Sequence, residues 1–189
     1  VMRMPKFNMS PAEATALVNY FAARENATYP YEYEERTDPN MLAGLDEQYQ
    51  ANGGEEGRLK SAMGIVTSGA NGCVKCHVFG DYVPGGELSG SVARGGNTAP
   101  NLENVGKRLR LDYVRPWVAN PARILPYTPM NVVIAHNDAN MWQSAFHGTS
   151  EEQLDGVVDL LMNYDHYLAK QASVKDQVKT DPATTAASP

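Results

Sequence analysis

The chain has only two cysteines, and both stand in one pentapeptide, Cys73-Val74-Lys75-Cys76-His77. That spacing constrains the fold more than any other feature, because two thiols and an imidazole leave the backbone within about one turn. Such a turn suits three chemistries. It can attach a porphyrin through two thioethers and offer the histidine to the iron; it can form half of a zinc site; or it can act as a redox dithiol. A disulfide framework is excluded, since no further cysteines exist to build one. A structural zinc ion needs two more ligands, and no second Cys/His pair follows at short spacing. The remaining histidines, His136, His147 and His166, lie far along the chain. A redox dithiol would sit between a strand and a helix of a βαβ unit, and no such pattern is present.

Apolar periodicity predicts helices and no strong strand. Ser10, Pro11 and Glu13 open a helix over 8–23 as cap, first-turn proline and capping-box partner, with Ala14, Leu17, Tyr20 and Phe21 as its apolar stripe. Residues 26–50, rich in Tyr, Glu, Asp and Asn, read as a linker with a short helix near 41–50. A second helix is expected over 55–67, with Leu59, Met63 and Val66 on one side. Residues 80–98 form a Gly-rich loop with room for a small hairpin; it lacks the strand–GxxxxGK–helix context of a phosphate cradle. A helix from Asp112 to Ala119 presents Val114, Trp117 and Val118, ends at Asn120-Pro121, and tolerates Pro116 only in its first turn. Residues 121–134 carry three prolines and read as a stiff, extended loop. A short helix over 138–147 would carry Met141, Trp142, Ala145 and Phe146. The last helix opens on a capping box, Thr149–Glu152 or Ser150–Gln153, and repeats Leu154, Val157, Val158, Leu161 and Leu168. Residues 170–189 lose all periodicity and read as a disordered tail or a linker. The expected organisation is an N-terminal helix and linker over 1–54, one domain over 55–169, and that tail.

Bulk properties narrow the function. The net charge of −6 argues against a nucleic-acid partner, since no broad basic face is available to phosphates. No apolar run approaches the ~18 residues of a membrane span. The first residues lack the basic-then-apolar pattern of an export signal, and the chain reads as a processed product or a piece of something longer.

A haem held by the pentapeptide would take a second axial ligand from the opposite face. Met4, Met9, Met130, Met141, Met162, His136, His147 and His166 are the candidates. Met130 is the best placed, on the proline-stiffened stretch PYTPM. His136 is its main rival, and Met141 beside Trp142 reads as core.

Several separated motifs then occur in order: GCVKCH at 72–77, APNL at 99–102, GKR at 106–108, YVRPWVANPARILPYTPM at 113–130 and TSEEQLDGVVDLLMNY at 149–164. With these the chain resembles a class I (monohaem) cytochrome c domain over about 55–169. The resemblance implies an all-α fold with long loops around one covalently attached haem c. It implies thioether bonds from Cys73 and Cys76, His77 as proximal iron ligand and Met130 as distal ligand. It also implies that the Pro100 carbonyl accepts the Nδ1–H of His77, fixing its tautomer. Trp117 resembles the family's haem-pocket tryptophan, and Arg108 its basic residue after the glycine. Tyr127 and Asn131 flank the ligand loop, within reach of a propionate or the sulfur. The sequence departs from the family in having Asn131 where proline commonly follows the methionine, and in its insertion over 79–98. Residues 2–23 resemble the end of a further cytochrome c domain, with Met4 aligning to Met130; the alternative is a helical extension packed on the haem domain.

The function so implied is one-electron transfer, free or fused to a dehydrogenase or oxidase, between a donor and an acceptor redox protein. The alternatives are a haem enzyme or gas sensor with a displaceable distal ligand, and a zinc-binding structural module. Haem attachment of this kind implies an exported protein of the bacterial periplasm or another extracytoplasmic face. The acidic net charge points to a basic docking patch on the partner.

Overall fold

The computed structural model describes residues 7–25, 38–69, 71–84, 99–168 and 173–178. They form two units, one within Val1–Glu35 and one within Arg36–Pro189. Among the described residues the fold is all-α, with no strand; isolated bridges pair His77 with Ala99 and Phe79 with Tyr82. No helix among them is long and apolar enough to cross a membrane.

The first unit contributes helix α1, Pro11–Arg24. The Ser10 side chain accepts from the Glu13 N–H at 3.3 Å, and the Glu13 carboxylate accepts the Ser10 N–H at 2.8 Å. Two otherwise orphan donors are satisfied, which is why the helix starts there. Ala22 is buried, whereas Leu17, Tyr20 and Phe21 of the apolar stripe are exposed. Met4 lies outside the described residues.

The second unit is built on helix α7, Ser150–Met162. Its inward positions Leu154, Val157, Val158, Leu160 and Leu161 are buried. Helix α3 (Arg58–Val66) packs across it through Ala62, Met63, Ile65 and Val66. Helices α4 (Val105–Arg108) and α5 (Leu111–Ala119) pack on it as well, and α6 (Pro121–Ile124) continues from α5. Glycine lets α4 approach: a Cβ on Gly106 would lie 2.3 Å from the Met162 carbonyl oxygen. One ion pair crosses the core, Arg58 Nη1 to Asp159 Oδ2 at 2.6 Å, with the Asp159 side chain 1% exposed.

The long-range contacts revise several local expectations. Helix α2 runs over Pro39–Ala51 and belongs to the larger unit. Its Asp46 carboxylate accepts the Arg58 N–H at 2.5 Å, capping α3 from twelve positions away. Its Tyr49 ring packs on Phe146, and the Tyr49 hydroxyl accepts the His147 N–H. Pro116 sits inside α5 rather than in its first turn. Pro116 and Asp112, whose carbonyl loses its helical partner, are both exposed residues. The stretch 138–147 forms only a 3-10 turn, Ala139–Trp142. Of the two capping boxes at the last helix, Thr149–Glu152 forms. Ser150 instead donates its hydroxyl to the His136 carbonyl. That helix breaks at Asn163, whose side chain donates to the Asp159 carbonyl, and resumes as α8, Tyr164–Leu168.

Residues 173–178, inside the stretch expected to be a tail, are folded. Helix α9 (Val174–Gln177) buries Val174 completely. The Asp81 carboxylate holds it, accepting the Ser173 hydroxyl and the Lys175 N–H. Asp81 stands in a tight turn in which Phe79 and Tyr82 exchange backbone hydrogen bonds of 3.0–3.1 Å, with Gly80 at φ +56°. A side chain at Gly80 would strike the Tyr164 hydroxyl and Val174, so glycine is required there by space as well as by φ. Residues 85–98 of the Gly-rich loop lie outside the described residues.

Candidate functional site

Cys73, Val74 and Lys75 form a 3-10 turn directly after α3. The turn begins at Gly72, whose N–H donates to the Ser68 carbonyl at 2.8 Å. A Cβ on Gly72 would lie 2.5–2.7 Å from the carbonyl oxygens of Ile65, Val66 and Ser68, so only glycine lets the turn fold back onto the end of α3. The N–H groups of Cys76 and His77 both donate to the Cys73 carbonyl. That double bond to one acceptor turns the two thiols and the imidazole out of a single loop. Val74, one of the two residues between the cysteines, is fully buried and anchors the turn in the core.

Both cysteines are free thiols, Cys73 half-buried and Cys76 exposed. Burial pushes the Cys73 thiol up to about 12, so at neutral pH it is a protonated thiol rather than a thiolate. A redox dithiol needs the opposite shift. Among the described residues no three His, Cys, Asp or Glu side chains gather to hold a metal ion.

His77 is half-buried and its Nδ1 lies 2.6 Å from the Pro100 carbonyl oxygen, twenty-three positions away. A carbonyl only accepts, so Nδ1 carries the proton and the lone pair stays on Nε2. Burial lowers the pKa of the imidazole, with the Pro100 carbonyl acting in the opposite sense. The net lowering favours a neutral ring, and the Pro100 bond puts its one proton on Nδ1, leaving Nε2 unprotonated. The contact depends on two segments running side by side: His77 bridges Ala99, and the Leu102 N–H donates to the Val78 carbonyl at 3.0 Å.

Met130 ends the stiff loop after α6. Pro121 opens α6, and Asn120 caps it by accepting the Arg123 N–H. Leu125 and Thr128 then turn the chain with backbone bonds to Pro121 and Leu125, and the Thr128 hydroxyl accepts the Met130 N–H at 3.2 Å. Met130 is half-buried, and its sulfur accepts the Trp117 indole N–H at 3.1 Å. The indole is itself stacked on the Tyr113 ring, centroids 5.7 Å apart and planes 17° apart. Tyr113 was not legible as a site residue; its only signal is its place one turn before Trp117 on α5.

The structure thus pairs His77 with Pro100 and Trp117 with Met130, and holds Cys73 and Cys76 beside His77. Tyr127 is 82% exposed and Arg108 is exposed; neither is drawn into these contacts. The exposed His136 makes a hydrogen bond to Asn137, and Met141 is exposed rather than core. A cavity of about 620 Å³ between α2 and the start of α7, lined by Tyr49, Arg58, Phe146, His147 and Glu152 among others, shares no residue with this set.

The donor types are those a haem c takes: two free thiols spaced by two residues, an imidazole whose Nδ1 is engaged by the Pro100 carbonyl, and a thioether on a proline-bounded loop. Comparison of the chain with protein-family profiles, with curated proteins and with solved structures returned no match.

Proposed function

We propose that residues 55–169 form a class I cytochrome c-like domain that transfers single electrons through one covalent haem c. The observation that carries this reading is the His77–Pro100 bond. It holds one tautomer of the imidazole that follows the two thiols, and leaves Nε2 as the free ligand atom. A bound haem c supplies the Fe(III)/Fe(II) couple; the thiols of Cys73 and Cys76 would anchor it, and His77 and Met130 would hold the iron.

This chain's own groups then have distinct tasks. The Pro100 carbonyl keeps the Nδ1 proton in place. The proline-bounded loop presents the Met130 sulfur, a weak donor that a flexible loop would release. Trp117 gives its N–H to that sulfur and stacks on Tyr113, which fixes the indole in place beside it. With His77 and Met130 both holding the iron, a bound haem would favour electron transfer over substrate binding. The protonated Cys73 weighs against a redox dithiol, and the zinc reading lacks further ligands among the described residues. The donor and acceptor are other redox proteins, free or fused, on an extracytoplasmic face; the likeness of residues 2–23 to the end of a cytochrome c domain fits a multi-domain parent.

The test is expression with a haem-attachment system. Haem that stays with the chain on a denaturing gel, and a low-spin spectrum with the thioether-to-iron band when oxidised, are expected. Met130→Ala should abolish that band. Haem lost on denaturation would overturn the proposal, and rapid carbon monoxide binding by the reduced wild type would favour the sensor alternative.

A further inference from the structure

Helix α1 has two apolar sides, and only one of them is covered. Ala22 is buried and Ala14 and Val18 are half-buried, so the row 14–18–22 is the covered side. Leu17, Tyr20 and Phe21 are 43%, 57% and 53% exposed. The Tyr20 and Phe21 rings meet edge to face with centroids 5.5 Å apart, which makes one continuous apolar surface of them. Phe7 and Met9, just before the helix, are exposed as well. Single exposed apolar residues are ordinary, but such a concentration calls for a cover.

The exposed side also carries a pattern that reads the same from both ends. Glu13, Leu17, Tyr20 and Arg24 are spaced by four, three and four positions. At about 100° per residue they fall within about 60° of arc, and alternating spacings of four and three are those of a helix-pair seam. The acid stands in the first turn, the base in the last, and the two apolar residues lie between. A second α1 laid antiparallel, centred between Val18 and Asn19, sets Glu13 opposite Arg24 and Leu17 opposite Tyr20, each twice. That is the condition for a two-fold contact, in which residue i meets j and j meets i. Parallel pairing would instead set Glu13 on Glu13 and Arg24 on Arg24. Both capping bonds from Ser10 fall on Oε2 of Glu13, and a carboxylate accepts several donors, so the cap and a cross-pair are compatible.

We infer that α1 is a self-association face: it pairs antiparallel with α1 of a second copy of this chain through Leu17, Tyr20 and Phe21, and Glu13–Arg24 pairs close both ends. The inference does not depend on the electron-transfer reading. The contact is small. Three half-exposed side chains offer on the order of 300 Å² per copy, against ~800 Å² in a standard interface, so pairing is weak and concentration-dependent. The end pairs are exposed and set direction and register more than affinity.

Two other covers fit less well. A preceding helical domain or a bilayer suits an apolar stripe, but neither calls for opposite charges placed symmetrically about its centre. An interfacial helix also carries a Lys/Arg-rich polar side, and Arg24 is the one basic residue of α1.

The experiment is sedimentation equilibrium of the full chain at low salt, from about 10 μM to about 1 mM, where weak contacts register. A thiol reductant keeps the exposed Cys76 from crosslinking. The mass should climb toward twice that of one chain, and Leu17→Glu should hold it at one chain. Glu13→Lys and Arg24→Glu should each weaken pairing about tenfold, since two attractive pairs become two repulsive ones. An equimolar mixture of the two should recover the wild-type affinity to within about threefold, because each variant supplies the charge the other lacks. Circular dichroism checks that α1 survives Glu13→Lys, which loses half of its capping box; Arg24→Glu leaves the cap intact and serves alone if it does not. A single-chain mass throughout, or pairing that Leu17→Glu and Arg24→Glu leave unchanged, overturns the inference. So does a mixture no tighter than either variant alone, which rules out the antiparallel register. Cosedimentation with phosphatidylcholine vesicles, lost in Leu17→Glu while the chain stays single in solution, would replace the second copy by a bilayer.

Discussion

Gly72→Ala is the sharpest test of how the site is built. The added methyl carbon would sit 2.5 Å from the carbonyl oxygens of Ile65 and Ser68 and 2.7 Å from that of Val66. Real Cβ atoms essentially never come closer than 3.0 Å to such neighbours, so the turn must retreat by about half an ångström or more. All three neighbours are backbone atoms at the end of α3, so no side chain can swing aside. Retreat would pull Cys73 outward and lift Val74, which is fully buried. Overpacking costs typically ~1–3 kcal/mol, and three simultaneous backbone contacts place this variant near the top, about 3 kcal/mol. For a unit of this size that lowers Tm by roughly 6–12 °C. Gly44→Ala is the matched control: it lies within α2, nothing approaches its Cβ position within 4 Å, and the change should stabilise by ~0.5–1 kcal/mol. Urea unfolding of both variants, followed by circular dichroism, gives the comparison. If Gly72→Ala unfolds within about 0.5 kcal/mol of the wild type, the reasoning from close approach is wrong.

Three further outcomes follow from the structure. Arg58→Met should cost about 3–5 kcal/mol in urea unfolding, because it removes the guanidinium paired with the Asp159 carboxylate, which is 1% exposed; adding Asp159→Leu should recover most of the loss, and a mild single variant would contradict the buried-pair account. The Asp81 pKa is lowered chiefly by the Ser173 hydroxyl, so its hold on α9 is present above the ordinary carboxylate range and fades as pH falls through the lower folded value. Amide exchange at 174–177 should therefore accelerate in acid relative to the rest of the core, and Asp81→Asn should make it fast at all pH values; pH-independent protection in the wild type would count against the clasp. Trp117→Phe keeps an aromatic ring but removes the N–H that the Met130 sulfur accepts. In the haem-loaded protein the sulfur should then donate more strongly to the iron, shifting the thioether band and lowering the reduction potential. An unchanged band and potential would show the indole bond to be incidental.

What could be read from the chain alone is what neighbouring residues decide among themselves. The capping boxes at Ser10–Glu13 and Thr149–Glu152 act over three positions, and both form as spaced. The apolar repeat of α7 requires only that one face be covered, whatever covers it. The Cys-x-x-Cys-His turn closes on the Cys73 carbonyl within the pentapeptide. Tertiary structure decided whatever depends on a partner far away in sequence. The short helix expected near 41–50 forms as α2, but nothing in 39–51 announces that its Asp46 will cap α3 or that its Tyr49 will pack on Phe146. The aperiodic 173–178 is ordered by one carboxylate, Asp81, and by a pocket for Val174 beside Tyr164 and Gly80. At the site, residue spacing alone does not give the His77–Pro100 bond, which spans twenty-three positions and was expected only from the resemblance, nor the meeting of the loop residue Met130 with the indole of Trp117 on α5. Local hydrogen bonds cost little chain entropy and leave a spacing that can be recognised. Distant ones form only after the core has closed the loops between them, and their partners leave no periodic trace.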